Sequence, residues 1–158
     1  LNEFIAKAQA QAPVHIEGLA RDLGVPVNRE FLDDGISGEL VKTGDDTYEI
    51  NVNVLDPLTR QRFTIAHELG HYIYHRSLIG DGVDDDRAYR STQAGRYHNT
   101  RIGPRQETEA NRFAATVLMP DHLLDELESL GYTTEEKAMK LQVSKQALCI
   151  RLGIPIEP

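Results

Sequence analysis

Apolar residues first recur at a spacing of three to four, as Phe4, Ile5, Ala8 and Ala12 and then as Ile16, Leu19, Ala20 and Leu23. Each set falls on one helical face, so two short helices are expected at about 2–12 and 16–24, the first stopped by Pro13 and the second by Gly24. Beyond Val25 the period shortens to two. Residues 47–54 alternate strictly, with Tyr48, Ile50, Val52 and Val54 on one side and Glu49, Asn51 and Asn53 on the other, the pattern of a half-buried strand. Gly44-Asp45-Asp46 supplies a turn back to Gly38-Glu39-Leu40-Val41-Lys42, and Val25-Pro26-Val27 with Phe31-Leu32 signals a third short strand. A small antiparallel three-stranded sheet is the expectation.

Asp56-Pro57 then reads as a helix cap followed by proline at the first helical position. The helix should reach about His75, and Leu58, Phe63, Ile65, Ala66, Leu69, Tyr72 and Ile73 spread around most of its circumference, as in a helix buried on most sides. Residues 77–105 lack periodicity and read as a long loop, of the kind that is more often functional or mobile than inert. Within it, Asp81-Gly82-Val83-Asp84-Asp85-Asp86 lacks the spacing of a calcium loop and reads as solvated. Further helices are expected at about 106–118, 121–131 and 134–152, the last broken near Val143-Ser144. The fold class is therefore α+β, one domain over 1–158. Helices at 1–24, a sheet at 25–55, two central helices and the long loop at 56–120, and a helical tail at 121–158 make up its parts.

Composition narrows the function classes. The longest apolar runs fall far short of the ~20 residues of a membrane span, and Leu1 to Lys7 lacks the features of a secretory signal. A single cysteine, Cys149, excludes an intramolecular disulfide and a cysteine-based metal site, so a reducing cytoplasm is expected. With 17 Lys+Arg against 25 Asp+Glu the net charge is -8, which argues against a large phosphate-binding surface. Arg87, Arg90, Arg96, Arg101 and Arg105 still leave room for a local basic patch. Residues 143–148 and 16–25 have a helix-turn-helix flavour, but net acidity and core packing favour structural roles.

His67-Glu68-Leu69-Gly70-His71 fits H-E-x-x-H inside the expected helix. Four residues make about one turn, so both imidazoles can reach one Zn²⁺ at ~2.0–2.1 Å. Glu68, rotated off that axis, suits a base that takes a proton from metal-activated water. A catalytic zinc usually takes a third protein ligand and leaves a position for water. His75 lies ~12 Å along the axis from His67, too far to share the ion, and is expected to cap or pack at the helix end. The better candidate is Glu107, which shares one helical face with Ala110, Asn111 and Ala114. The alanines allow close helix approach, and Asn111 is placed to hydrogen-bond a ligand imidazole. Glu109 points elsewhere and is expected to be solvated, while remaining the alternative third ligand. In the long loop, His98 of Tyr97-His98 is a candidate donor to the oxyanion formed during hydrolysis.

The segment from Arg62 to His71, then His75, then Glu107-Thr108-Glu109-Ala110-Asn111-Arg112-Phe113-Ala114-Ala115-Thr116-Val117-Leu118-Met119-Pro120, resembles the ImmA/IrrE family of zinc metallopeptidases, and the likeness covers most of residues 14–153. It implies a gluzincin-like arrangement with His67, His71 and Glu107 on the metal and Glu68 as base. It also implies an intracellular enzyme that cuts a helix-turn-helix repressor of the Xre type, here a separate protein because no such module precedes the domain. The expected activity is thus metal-dependent peptide-bond hydrolysis with Zn²⁺, or alternatively Mn²⁺, on a specific protein partner, with neither membrane nor nucleic acid as partner. The rival is a non-hydrolytic, metal-stabilised module that binds a repressor or toxin–antitoxin partner. Retention of Glu68 favours the enzyme, since a structural site needs no base. The substrate is expected to add as an extra strand along 47–54, with the loop at 77–105 closing over it.

Overall fold

A computed structural model describes residues 1–86, 95 and 97–156. Among these the chain is α+β, with eight helices and one four-stranded sheet. Helices α1 (Asn2–Ala8) and α2 (Ile16–Asp22) lead into strands β1 (Val27–Glu30), β2 (Ile36–Gly44) and β3 (Thr47–Asn53). Then follow α3 (Leu58–Tyr74), the single turn α4 (Arg76–Ile79), strand β4 (Gly82–Asp86) and α5 (Pro104–Leu118). Helices α6 (Asp121–Ser129), α7 (Thr134–Leu141) and α8 (Lys145–Leu152) close the series.

The sheet order is β1-β3-β2-β4, which corrects the expected sheet in three ways. It has four strands, and β1 runs parallel to β3, so the sheet is mixed. The fourth strand arises where the pattern reads as solvated loop: β4 pairs antiparallel with β2, Val83 opposite Leu40, and Asp84 and Asp85 are both buried. Thirdly, β3 lies between β1 and β2, so an added peptide strand along 47–54 would find no open backbone edge there. The polar side of β3 is covered as well. Asn51 donates to Glu39 (2.9 Å) and accepts from Asn28 (3.1 Å), while Asn53 donates to the Ile36 carbonyl (2.9 Å), so burial costs these amides little.

Helix α3 lies on the opposite face, where Leu40 faces Ile50 and Gly38 faces Val52 across the ladder. A Cβ on Gly38 would fall 2.2 Å from Thr64 Cγ2, so only glycine lets α3 sit this close to β2. The helix begins one residue later than the pattern implies, with Pro57 rather than Asp56 as its cap. Ile65, Ala66 and Leu69 are fully buried, consistent with its all-round apolar pattern. In the tail the expected break is real: Gln142 turns left-handed (φ 54°) after α7, and Ser144 caps α8 by accepting from the Ala147 amide.

Candidate metal centre

One turn of α3 separates His67 from His71, and both rings are fully buried. Helix α5 brings Glu107 in from its first turn, because α3 and α5 cross where Gly70 meets Ala110. The sheet brings a residue not anticipated from the sequence. Asp85 on β4 stands opposite Gly38, with its carboxylate at the same imidazoles. One donor atom from each of His67, His71, Asp85 and Glu107 lies within 4.8 Å of every other.

The individual separations test whether an ion fits. Donors at tetrahedral corners ~2.0–2.1 Å from a zinc ion stand about 3.3–3.4 Å from one another. His67 Nε2 lies 3.3 Å from Asp85 Oδ1 and 3.4 Å from Glu107 Oε1, and His71 Nε2 lies 3.4 Å from Asp85 Oδ2. The remaining measured contact, His71 Nε2 to Glu107 Oε1, is tighter at 2.7 Å.

Hydrogen bonds behind the rings set their tautomers. Asn111 Oδ1, an acceptor, sits 2.8 Å from His67 Nδ1, so that nitrogen carries a proton and Nε2 is the one turned to the cluster, where it gives its lone pair to a cation once its own proton is lost. His71 Nδ1 lies 2.9 Å from His75 Nδ1, and His75 Nε2 lies 3.2 Å from Glu109 Oε1. One direction of donation satisfies that row: His71 to His75, then His75 to Glu109, which again leaves Nε2 of His71 turned to the cluster. Glu107 Oε1 lies 2.7 Å from that nitrogen, a hydrogen-bond distance at which the two share a proton, and a bound ion would take the proton's place with the donors further apart.

Electrostatics point the same way. Burial opposes a charge on His67, yet the facing carboxylates of Asp85 and Glu107 outweigh it and raise the imidazole to about 10. Burial, with the neighbouring Asp85 charge next, lifts Glu68 well above the ordinary carboxylate range. Burial also raises Glu107. Burial opposes a charge on Asp85 too, yet the two imidazoles hold it well below the ordinary carboxylate range, so these buried groups share protons among themselves, and a divalent cation would take the protons' place.

Glu68 itself is fully buried, and neither of its oxygens has a hydrogen-bond partner among the described residues. Its Oε2 borders the space that a side chain at Gly38 would fill. His75 stays out of the donor cluster, as its distance along the helix requires, but it supports His71 rather than simply capping the helix. Glu109 is half-exposed and binds His75, not the cluster. His98 is exposed, and no hydrogen bond or ion pair among the described residues joins it to the cluster. Of the five arginines, Arg101 binds the Ser77 carbonyl, whereas Arg87, Arg90 and Arg96 lie outside the described residues. Of the loop expected at 77–105, residues 87–94 and 96 lie outside the described residues, while 77–86 form the end of α4 and strand β4 and 104–105 open α5. Asp85 carried little sequence signal, because three consecutive acids show no alternation and only Val83 hints at a strand.

Fold and donor set together are those of a metal-binding domain built on an H-E-x-x-H helix. The chain belongs to the IrrE N-terminal-like domain family, Peptidase_M78, which matches residues 20–153. It is 40% identical over 89 residues to the Radiation response metalloprotease IrrE of Deinococcus radiodurans, an alignment covering 54% of this chain and 24% of that protein. The chain thus spans about a quarter of that relative's length. A solved structure described as a Mycobacterium tuberculosis transcriptional regulator matches with a TM-score of 0.61 at 19% identity, over 100% of this chain and 48% of its own, a likeness of fold alone. No helix among the described residues is long and apolar enough to cross a membrane.

Proposed function

We propose that this domain is a zinc-dependent endopeptidase that cuts a specific protein partner in the cytoplasm, a separately encoded helix-turn-helix repressor of the Xre type. The observation that carries the reading is Glu68, a buried carboxylate that faces the Asp85 charge of the donor cluster and has no hydrogen-bond partner among the described residues. Membership of a peptidase family and likeness to a metalloprotease support it.

His67, His71 and Glu107 would hold the ion. When bound, a divalent metal supplies Lewis acidity to the scissile carbonyl and acidifies water. Glu68 then takes the water proton as the oxygen attacks, and returns it to the leaving amine. Burial and the Asp85 charge raise its pKa well above the ordinary carboxylate range, so in its ionised form Glu68 is a stronger proton acceptor than an ordinary carboxylate. Asn111 and the His75–Glu109 pair keep the two imidazoles turned to the ion.

One observation favours a second reading. Asp85 supplies a fourth donor, and four protein ligands are the mark of a structural site in a binding module. That reading leaves the buried Glu68 without a purpose. Incubating the purified domain, with and without zinc, with the repressor encoded beside it separates the two: a defined, zinc-dependent fragment supports the peptidase, and binding without a fragment supports the module.

A further inference from the structure

We propose that Asp85 is a displaceable metal ligand, which closes the site in the resting protein and leaves when an extended peptide takes the outer edge of β4. The inference rests on the peptidase reading above and addresses the conflict between a four-donor set and a poised base.

The first observation is where Asp85 reaches. Its two oxygens approach both imidazoles, Oδ1 at 3.3 Å from His67 and Oδ2 at 3.4 Å from His71, and so take the place that an attacking water would need. The second is what holds each donor. His67, His71 and Glu107 stand on helices of 17 and 15 residues that pack against each other. Asp85 stands on a five-residue strand at the end of the sheet order, paired through β2 with a register shift beside its own partner, Gly38. Among the described residues, it is the donor that stands on the shortest element.

The third observation concerns the outer edge of β4. The Asp84 amide, on the side away from β2, donates to the Tyr97 carbonyl (3.1 Å), and the Tyr97 amide donates back to Asp84 Oδ2 (3.2 Å). The Tyr97 ring covers Gly82, 2.7 Å from where a Cβ would stand. The protein's own segment therefore uses the backbone group through which an added strand would bind. A peptide entering there must displace Tyr97. That frees β4 to move, and the residue next to Asp84 is the ligand itself. Coordination position and strand edge are thus released by one movement, so the chemistry is available only to a chain able to pair with β4.

Cobalt-substituted protein tests this through its visible absorption, with sodium thiocyanate as a probe of an open coordination position. Wild-type protein should give a spectrum that thiocyanate leaves unmoved, whereas Asp85→Ala should shift saturably. Asp85→Ala should also give up cobalt to a chelator at least about tenfold more readily. Fluorescein-labelled casein should be cut about tenfold faster or more per bound zinc in Asp85→Ala, as when a minor competent state becomes the main one. A wild-type spectrum that responds to thiocyanate as the variant does, or equal casein rates per bound zinc, would overturn the proposal. If Asp85→Ala does not fold, Asp85→Asn keeps the size, loses the charge and carries the same readouts. Failure of the peptidase reading has its own signature, no zinc-dependent cleavage by either wild type or Asp85→Ala although both bind cobalt, whereas failure of this proposal alone leaves cleavage that Asp85→Ala does not speed.

Discussion

Gly70 and Ala110 meet where α3 crosses α5, so closely that a Cβ on the glycine would lie 3.1 Å from the alanine Cα. This contact sets the distance between the histidines of one helix and Glu107 of the other. Gly70→Val should push the helices apart at a cost of about 1–3 kcal/mol, the usual range for overpacking. A lowered Tm with weakened zinc binding is expected, and zinc titration of the folded variant at low temperature separates the two effects.

Metal content should depend strongly on three of the four donors and hardly at all on Glu109. His67→Ala and His71→Ala should abolish stoichiometric zinc, and Glu107→Ala should weaken it sharply. Glu109→Ala removes only the acceptor behind His75 and should cost no more than a small part of the affinity. Elemental analysis of the purified variants checks this, and the opposite order for the two glutamates would make Glu109 the ligand.

Glu68→Gln keeps size and removes the base. Zinc and partner binding should stay near wild type while cleavage of the partner falls by orders of magnitude. Calorimetry beside a gel-based cleavage assay reads both, and cleavage at the wild-type rate would remove Glu68 from the mechanism.

Asn111→Ala should lower zinc affinity by about 10–100-fold, because His67 loses the acceptor that fixes its tautomer. His75→Ala should act similarly on His71, and Asn111→Gln should fail to restore the first effect if the 2.8 Å geometry matters. Competition with a chromogenic chelator measures each.

Removing the metal should destabilise the fold, since the ion binds the folded donor set and not the open chain. Zinc at a hundredfold excess over Kd contributes about 2.7 kcal/mol. For a domain near this size that corresponds to roughly 5–10 °C in Tm. Differential scanning calorimetry with and without EDTA reads the difference, and a Tm indifferent to EDTA would show that no ion had been bound.

What could be read along the chain follows from local rules. The spacing of His67 and His71, the break at Val143-Ser144 and the shared face of Glu107 and Asn111 each depend on one helix and its 3.6-residue period. In the structure Asn111 indeed meets His67, and Ser144 caps α8. The row from His71 through His75 to Glu109 was less legible, because it joins two helices whose relative rotation no single period reveals.

The sequence by itself determined the two helices that carry the paired histidines and Glu107, the main strands β2 and β3, and the small residues at the helix crossing, because propensity and period act within a few residues. Only the tertiary structure decided that β1 pairs parallel with β3, that β3 is interior, and that Asp85 is buried against His67 and His71. A parallel ladder and an edge strand are chosen by partners far along the chain. A run of acids is solvated unless such partners supply positive charge, and the two imidazoles that Asp85 meets come from a helix that the local pattern around it does not reveal.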